Sequence, residues 1–292
     1  MAFQVKGETA LVTGGGSGIC LEFAKLLIAN ECNIAIADIQ MLPEAQKLVE
    51  DHQSSDKTRV NFQKTDVTGL NQLQSAFDLA LKDFGALHIV CPGAGVFEPP
   101  WSNFWNLNGG TDNIITSFYK TIEINLSHPI RATQFAIDSF TRQNLNHGAV
   151  ILVGSIAAQT AVFAAPLYAP IRHAISGFVR SLGLLETTHN IRVNAVAPGV
   201  VKTPLWADDL EKEKWVDAEK DVWIMPKVVA EVMMNCVQKE ECIGGTVWEV
   251  GAQTRMVELL NDPGPTVMGH PAFNVKVAVE SSLKLMGETY GK

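Results

Sequence analysis

The sequence predicts an α/β protein in which a doubly wound parallel sheet of seven strands forms one domain and a C-terminal extension follows it. Three observations predict this class. Apolar runs of strand length alternate with longer segments of helical periodicity, a glycine-rich turn joins the first run to the first helical segment, and an aspartate closes the second run. Parallel strands need crossover helices and are covered on both faces, so this alternation is typical of such a sheet.

The predicted elements follow one another along the whole chain. The seven β-rich runs are "TALVTG", "NIAIAD", "VNFQKTD", "LHIVCPG", "GAVILVGS", "IRVNAVAPG" and "GGTVWEVG". Helices are expected at Leu21–Asn30, Pro43–His52, Leu70–Phe84, a long region ending at Asn144, Tyr168–Thr187 and Lys227–Gln238. Prolines and turn residues appear beyond Gly251, so we expect a sheet domain over residues 1–251. Residues 252–292, with a weakly amphipathic stretch at Phe273–Met286, are expected to form a lid or an interface arm.

The composition restricts the class of partner. The 292 residues carry a net charge of −8 with acidic and basic residues mixed, which argues against nucleic acid or an anionic membrane as the main partner. The five cysteines form no CxxC pair and lie in apolar segments, so we expect buried thiols in a reducing compartment and a cytoplasmic protein. The first ten residues show no secretory signal.

Two other kinds of segment are not expected. Residues 148–171 carry no formal charge, but polar residues and Pro166 interrupt them, so a buried strand plus a loop is favoured over a membrane span. The seven histidines are scattered without a HxH or HExxH spacing, so no metal site is expected.

The turn after the first strand is rich in glycine. Thr13, Gly14, Ser17 and Gly18 lie in "VTGGGSG", directly between the first strand and the first helix. Such a turn lets backbone N–H groups approach a pyrophosphate, and the helix N-terminus favours the anion. A glycine cluster alone is weak evidence, because any sharp strand-to-helix turn can use one; its place in a βαβ unit makes it informative.

Aspartates end the next two strands. Asp38 lies twenty residues after Gly18, where a carboxylate can accept hydrogen bonds from the adenosine ribose and would repel a 2′-phosphate. This favours NAD over NADP, although a solvent-exposed aspartate at a strand end is the plainer alternative. Asp66 ends the third strand and is placed either to receive the adenine amino group or to act as a helix N-cap.

Several short motifs occur in a fixed order: "TGGGSGI", "ADIQ", "TDVT", Asn125-Leu126, Gly154-Ser155, Tyr168 and "NAVAPGVVKT". From about Gly7 to Gly251 the sequence resembles the short-chain dehydrogenase/reductase family, and the thirteen residues from Ser155 to Tyr168 match the interval usual there. The resemblance implies a seven-stranded Rossmann sheet, NAD(H) along its carboxyl edge, and a homodimer or homotetramer.

The resemblance also implies a role for each matching residue. Tyr168 would be the acid/base, Ser155 would hydrogen-bond the substrate oxygen, Arg172 would supply a cation, and Asn125 would hold a helix and a water in a proton relay. The residues expected to contact the cofactor are Thr13, Gly14, Ser17, Gly18, Ile19, Asp38, Ile39, Asp66, Val67, Ala94, Gly95, Tyr168, Arg172, Pro198, Gly199, Val201 and Thr203. A phenol has a reference pKa near 10, so such a base needs a nearby positive charge at neutral pH.

The chain departs from the family pattern at several positions. Arg172 stands where the family has lysine; it keeps the cation, but a guanidinium does not release a proton to a relay. Pro170 is expected near the start of the helix that carries Tyr168, where it could displace that start. Cys20 replaces the third glycine of the turn, and Pro92-Gly93 replaces an Asn-Asn pair.

Tryptophans cluster in two segments that border the substrate in the family: Trp101 and Trp105, then Trp206, Trp215 and Trp223. They suit a bulky hydrophobic substrate such as a steroid, polyketide, lipid or alkaloid, and they suit a subunit interface almost equally well. The layout is most similar to NAD-dependent hydroxy-lipid or hydroxysteroid dehydrogenases. The leading hypothesis is therefore an NAD(H)-dependent oxidoreductase of a secondary alcohol or ketone. The alternative, motivated by the departures, is a nucleotide-fold protein acting as a non-redox isomerase, a cyclase or a binding subunit.

Overall fold

The computed structural model describes residues 3–106, 110, 112, 119–206, 222–258, 283–284 and 287–288. Its strands are β1 (Thr9–Thr13), β2 (Asn33–Asp38), β3 (Val60–Lys64), β4 (Ile89–Pro92), β5 (Gly148–Val153), β6 (Ile191–Pro198), β7 (Val247–Val250) and β8 (Thr254–Met256). Its helices are α1 (Gly18–Ala29), α2 (Pro43–His52), α3 (Leu70–Phe84), α4 (Lys120–Ile122), α5 (His128–Arg142), α6 (Tyr168–Ser181), α7 (Leu184–His189) and α8 (Pro226–Gln238). A π-helical turn at Glu123–Ser127 joins α4 to α5.

The strands form one sheet in the order β3-β2-β1-β4-β5-β6-β7-β8. The pairs from β3 to β7 are parallel, which confirms the predicted doubly wound sheet. The chain order reverses between β1 and β4, so the crossovers leave a crevice at the carboxyl ends of these two strands. In open α/β sheets this crevice is where a ligand binds.

Side chains of β1 alternate between the two faces of the sheet. Val12 belongs to one core cluster with Phe23 of α1 and Met233 of α8. Leu11 belongs to the other, with Phe77 of α3. Because successive strand residues point to opposite faces, a continuous apolar run such as "TALVT" is buried on both sides. Two helical layers therefore cover the sheet.

Three elements differ from the predictions. The expected helix at 168–187 is divided into α6 and α7 at Gly183, where a Cβ would lie 2.9 Å from the carbonyl oxygen of Gly244, so the backbones touch there. In the long helical region expected after β4, no described residue before Lys120 is helical. The sheet also continues past Gly251, because β8 pairs antiparallel with β7.

The segment after β8 largely cannot be compared with its prediction. Beyond residue 258 only four residues are described, so the predicted arm and most of Phe273–Met286 lie outside the described residues.

The uncharged run at 148–171 forms β5, a 3₁₀ turn at Ile156–Gln159 and a loop that leads into α6, as predicted. Within the described ranges no helix has the length and apolar character needed to cross a membrane.

Candidate functional site

A cavity of about 770 Å³ opens at the carboxyl edge of the sheet. Its volume lies in the range of small-molecule and cofactor sites. It extends from the ends of β2 and β3, across the glycine-rich turn, to Tyr168 and Trp206. Every residue predicted for the site lines this cavity except Thr13 and Asn125, which lie behind its wall.

Two glycines of the glycine-rich turn have positive φ. Gly14 has φ +72°, and a Cβ on it would lie 2.7 Å from the backbone nitrogen of Ala94. Gly18 has φ +60° and begins α1, with the side chain of Thr203 against it. Ser17, the residue before the helix, makes no side-chain capping hydrogen bond. The first-turn N–H groups of α1 are thus available to an anion in the cavity.

Thr13 supports this turn from below. Its hydroxyl accepts the N–H of Ala94 at 3.3 Å and lies 3.1 Å from Nε2 of His128. Nδ1 of His128 lies 3.2 Å from the carbonyl oxygen of Ile124, so a proton on Nδ1 leaves Nε2 to accept from Thr13. Burial lowers the pKa of His128 to about 4 and keeps its ring neutral. Sequence reasoning missed His128, because a single histidine in a helix carries no motif.

The two aspartates line the end of the cavity at β2 and β3. Asp38 accepts the N–H of Gly16 at 2.9 Å, and burial raises the pKa of its carboxyl group above the ordinary value. Asp66 accepts the N–H of Thr68 at 2.9 Å and closes the turn before α3. The N-cap of α3 is Gly69, so the N-cap alternative for Asp66 is wrong.

Asn125 lies in the π-helical turn and acts on the backbone beside the cavity. Its amide donates to the carbonyl oxygen of Val96 at 2.8 Å and accepts the N–H of the same residue at 2.9 Å. A Cβ on Gly95 would lie 3.0 Å from Oδ1 of Asn125 and 3.3 Å from Nη2 of Arg172. Asn125 thus holds the Gly95–Val96 segment in place; its part in a proton relay stays a prediction.

Tyr168 is the first residue of α6 and Pro170 is the third. The first four N–H groups of a helix have no partner within the helix, so proline fits there without disturbing it. The displacement considered from the sequence is therefore absent. One turn later, Arg172 places its guanidinium carbon 4.6 Å from the centroid of the Tyr168 ring.

Arg172 is only 7% exposed. Its Nη1 donates to the carbonyl oxygen of Val153 at 2.7 Å. Its Nε is buried and has no partner among the described residues. A buried N–H without a partner is costly in an isolated protein, so this donor fits a bound polar ligand.

Ser155 follows β5 and begins the 3₁₀ turn. Its Oγ accepts the N–H of Ala157 at 3.1 Å and lies 3.5 Å from the carbonyl oxygen of Pro198. Ser155, Tyr168 and Arg172 all line the cavity. The wall therefore combines a hydroxyl donor, a phenol and a cation.

Sequence reasoning missed Glu98, an acidic residue that contacts the backbone of Tyr168. Glu98 is fully buried and has φ +40°, in the left-handed region that favours glycine. Its Oε2 accepts the N–H groups of Leu167 and Tyr168, each at 3.0 Å. Its Oε1 accepts the N–H of Phe104 at 3.1 Å.

Aromatic rings form a chain that starts at Tyr168. Phe97 packs edge-on against it with ring centroids 4.7 Å apart, and Trp206 lies 5.4 Å from Phe97. Trp223 packs against Trp206 at 5.6 Å. Trp101 also lines the cavity. We call Phe97, Trp101 and Trp206, together with Trp223, which packs on Trp206 outside the cavity lining, the aromatic wall.

The outcome differs for the other predicted tryptophans. Trp105 is 53% exposed, packs on Phe163 with centroids 4.8 Å apart and does not line the cavity. Trp215 lies outside the described residues. Trp101 and Trp206 thus line the cavity, whereas Trp223 packs on Trp206 without lining it and Trp105 lies apart from it. That these tryptophans border a substrate stays a prediction.

Two departures from the family pattern meet each other in space. A Cβ on Gly93 would overlap Sγ of Cys20 and would lie 3.3 Å from Sγ of Cys91. The thiol of Cys20 therefore occupies room that glycine leaves at position 93. A hydrogen bond with Cys20, together with burial, raises the pKa of the Cys91 thiol well above its usual value. All five cysteines are buried free thiols, as expected.

The donors and acceptors around the cavity suit a dinucleotide. One end offers carboxylates at β2 and β3, the middle offers free N–H groups at the N-terminus of α1, and the other end offers the buried donor of Arg172. Across the described parts of the chain, no group of three or more His, Cys, Asp or Glu side chains is arranged to hold a metal ion.

Comparisons with known proteins agree with this arrangement. The family model described as short chain dehydrogenase matches residues 8–214. Human 15-hydroxyprostaglandin dehydrogenase, named for NAD(+), is 30% identical over 72% of this chain and 74% of its own length. Cyclohexanol dehydrogenase of Acinetobacter sp. is 27% identical over 73% of this chain and 80% of its own. A solved structure of a short chain dehydrogenase from Burkholderia cenocepacia in complex with NADP has a TM-score of 0.68 and 25% identity, and the match covers 85% of this chain and 98% of that one.

Proposed function

Because the chain belongs to the short-chain dehydrogenase family, we propose that it is an NAD(H)-dependent oxidoreductase of a secondary alcohol or ketone on a bulky hydrophobic molecule. The observation that carries this proposal is that Ser155, Tyr168 and Arg172 line one cavity, with Arg172 packed against the ring of Tyr168. A hydroxyl, a phenol and a fixed cation on one cavity wall are the groups needed to move a proton to or from a carbinol oxygen.

Each residue of the wall has a distinct part. Tyr168 takes the proton of the alcohol, or returns it to the ketone. Arg172 lies against its ring, where a cation attracts the negative charge that develops on the phenol oxygen during proton transfer. Ser155 donates a hydrogen bond to the substrate oxygen as charge develops there. Asn125 keeps Gly95 and Val96 in place beside them.

The residues that would hold the cofactor follow the cavity from end to end. The free N–H groups at the start of α1 would receive the pyrophosphate, and Asp38 would receive the adenosine ribose hydroxyls. The unpartnered Nε–H of Arg172 would donate to the nicotinamide ribose. When bound, the nicotinamide supplies the site for hydride transfer.

Asp38 supports NAD as the preferred form. A carboxylate can accept from two ribose hydroxyls, but it repels the phosphate that distinguishes NADP. Asp38 is held by Gly16 at the cavity wall, so it cannot swing away without losing that hydrogen bond. The human relative is named for NAD(+), whereas the Burkholderia structure holds NADP, so the family alone does not decide between them.

The aromatic wall supports a bulky hydrophobic substrate. Its rings continue from Tyr168 to Trp223, which is 36% exposed, so an apolar molecule could reach the phenol while its remainder lies against aromatic faces. Trp105 and Phe163 fit the alternative use of aromatic residues at an interface, because Phe163 is 82% exposed.

The alternative of a non-redox isomerase, cyclase or binding subunit draws less support. It was motivated by four departures, of which Pro170 fits the first turn of α6 and Cys20 fits against Gly93. Arg172 is the residue that best distinguishes the redox from the non-redox function, because a guanidinium supplies a positive charge but does not relay a proton.

A panel of alcohols and ketones tests the proposal. Purified protein is incubated with NAD or NADP and cyclohexanol, testosterone or 12-hydroxyoctadecanoate, and with NADH or NADPH and the matching ketones, while the absorbance of the reduced nicotinamide is followed. Arg172→Lys is assayed in parallel. We expect turnover with the bulky substrates and NAD. If the natural protein shows no turnover while Arg172→Lys does, the alternative of a non-redox function is favoured.

A further inference from the structure

We propose that Glu98 is a positioning residue that fixes the start of α6, and with it the place of Tyr168 in the cavity. The inference rests on the proposed function, because it assigns Glu98 a role in proton transfer at Tyr168. Glu98 lies 70 positions before Tyr168 and has no part in the glycine-rich turn or in the cofactor-binding carboxylates.

Most backbone N–H groups at the start of α6 are absent or already have a backbone acceptor, and the remaining ones are received by Glu98. Pro166 and Pro170 have no N–H group. The N–H of Ala169 donates to the carbonyl oxygen of Ala165 at 3.2 Å, and that of Ile171 donates to Leu167 at 3.3 Å. The N–H groups of Leu167 and Tyr168 remain, and both donate to Oε2 of Glu98. One carboxylate oxygen thus receives both remaining donors of this turn.

The charge of Glu98 suits this place. The N-terminal end of a helix carries a partial positive charge and unpaired N–H groups, which a carboxylate stabilises more strongly than a neutral acceptor. Glu98 is fully buried, so water competes little for these N–H groups. Losing a buried charged acceptor leaves the donors without partners, and the turn would then shift to find others.

Two neighbouring residues, Phe97 and Glu98, both contact Tyr168. The carboxylate of Glu98 receives its backbone N–H, and the ring of the preceding Phe97 packs against its phenol ring. Glu98 reaches this place only with φ +40°, which is unfavourable for a residue other than glycine. A strained, fully buried acid whose oxygens end on the backbone of the candidate acid/base indicates a positioning role.

Glu98 also connects α6 to the loop that leads to the aromatic wall. Its Oε1 accepts the N–H of Phe104, and its carbonyl oxygen accepts from Nδ2 of Asn103 at 3.0 Å. Trp101 lies between these contacts along the chain and lines the cavity. A substrate that packs on Trp101 would therefore contact a loop that the side chain of Glu98 connects to the backbone of Tyr168.

The test compares Glu98→Gln and Glu98→Ala with a matched control, Glu186→Gln. Glu186 also accepts a backbone N–H, that of Gly244, and pairs with Arg192, but none of its contacts reaches the start of α6. All three variants and Tyr168→Phe are assayed with NAD and cyclohexanol or 12-hydroxyoctadecanoate. The readouts are kcat, the KM for NAD, and the isotope effect with the carbinol-deuterated alcohol.

We expect kcat to fall about tenfold in Glu98→Gln and about a hundredfold in Glu98→Ala, because small displacements of an acid/base cost on this order. The glutamine keeps one acceptor oxygen, so its loss is smaller. The KM for NAD stays near that of the natural protein in both variants, and the isotope effect rises. Glu186→Gln lowers the melting temperature and leaves kcat unchanged.

A second readout needs no substrate. Hydrogen exchange of the peptide spanning residues 164–175 is expected to accelerate in both Glu98 variants at Leu167 and Tyr168, and to stay unchanged in Glu186→Gln. Exchange equal to that of the natural protein would overturn the inference. Failure of Glu98→Gln to fold, while Glu186→Gln folds, would give Glu98 a general structural role and would overturn it as well.

The two proposals fail in different ways. If Tyr168→Phe keeps its turnover, the proposed function is wrong whatever the Glu98 variants do. If Tyr168→Phe loses turnover while both Glu98 variants keep the natural kcat, the proposed function stands and the positioning role of Glu98 is wrong.

Discussion

The guanidinium carbon of Arg172 lies 4.6 Å from the centroid of the Tyr168 ring, one helical turn along α6. The guanidinium is fixed there by its hydrogen bond to the carbonyl oxygen of Val153. Tyr168 therefore has a permanent positive charge against its ring, without the lysine that the family carries. A fixed cation at this distance attracts the negative charge that a phenol oxygen carries as its proton leaves.

Replacing Arg172 by methionine removes this charge and keeps most of the side-chain length. We expect kcat/KM for alcohol oxidation at neutral pH to fall by about 10² or more, the usual contribution of acid/base catalysis. Arg172→Lys keeps a cation at this position, so its loss should be smaller. Rates for Arg172→Met and Arg172→Lys at neutral pH provide the measurement; equal losses in both would show that shape rather than charge matters.

The choice between NAD and NADP tests Asp38. Replacing Asp38 by alanine removes an acceptor for two ribose hydroxyls, and charged hydrogen bonds contribute about 1.5–3 kcal/mol, or about 10- to 100-fold in affinity. We expect NAD to bind that much more weakly and NADP to bind more tightly. Titration of each nucleotide by calorimetry provides the measurement. An unchanged ratio of the two affinities would contradict the assignment.

The same aspartate predicts a pH dependence of NAD binding. Burial raises the pKa of Asp38 in the free protein, so its carboxyl group takes up a proton at a higher pH than an ordinary aspartate does. A protonated carboxyl group is a poorer acceptor, and the affinity for NAD should therefore fall as the pH falls through this raised pKa. Asp38→Ala should lack this component, which comparison of the two titrations from neutral to acidic pH would show.

The contact between Cys20 and Gly93 predicts a coupled pair of substitutions. A Cβ on Gly93 would overlap Sγ of Cys20, so Gly93→Ala should destabilise the protein by about 1–3 kcal/mol, the usual cost of overpacking. Cys20→Ala removes the sulfur and should relieve most of that cost in the double variant. Urea unfolding of the four proteins gives the coupling energy; additive effects would mean that the two positions do not fit each other.

His128 predicts a loss of stability in acid. Its pKa is about 4 in the folded protein, against an ordinary value of 6.5. The unfolded chain therefore takes up a proton at a higher pH than the folded one, and the free energy of unfolding falls as the pH falls from 6.5 to 4. The lowered pKa of His128 corresponds to about 3 kcal/mol of the free energy of unfolding. This contribution is fully present above pH 6.5 and is lost as the pH falls towards 4.

Unfolding of His128→Gln and of a control, His173→Gln, across this range measures that contribution. His173 is exposed, so its substitution should leave the pH dependence of the natural protein in place. His128→Gln should have a shallower dependence. Identical slopes in the natural protein and in His128→Gln would show that His128 is not a buried neutral histidine.

What the sequence predicted well lies at strand ends and in short motifs. Asp38 follows an apolar strand and Gly18 opens a helix, so their place at one edge follows from the parallel sheet. Ser155 and Tyr168 were found through spacing and family resemblance. Each of these signals is local, or is a fixed interval along the chain.

The missed residues depend on contacts between distant segments. Glu98 acts on Tyr168 from 70 positions away, and His128 acts on Thr13 from 115 positions away. No periodicity or motif marks either residue. A glutamate that follows a phenylalanine is common in sequences, and so is a single histidine in a helix. The strand β8 was missed for a different reason: its three residues are all exposed and show no apolar alternation.

Turnover by Tyr168→Phe, with NADH binding measured in the same protein, tests the central claim most directly. The substitution removes only the phenol oxygen, and the ring still packs against Phe97 and Arg172. The account predicts unchanged NADH affinity and a fall in turnover of about 10² or more. Turnover near that of the natural protein, with the cofactor still bound, would contradict the assignment of Tyr168 as the acid/base.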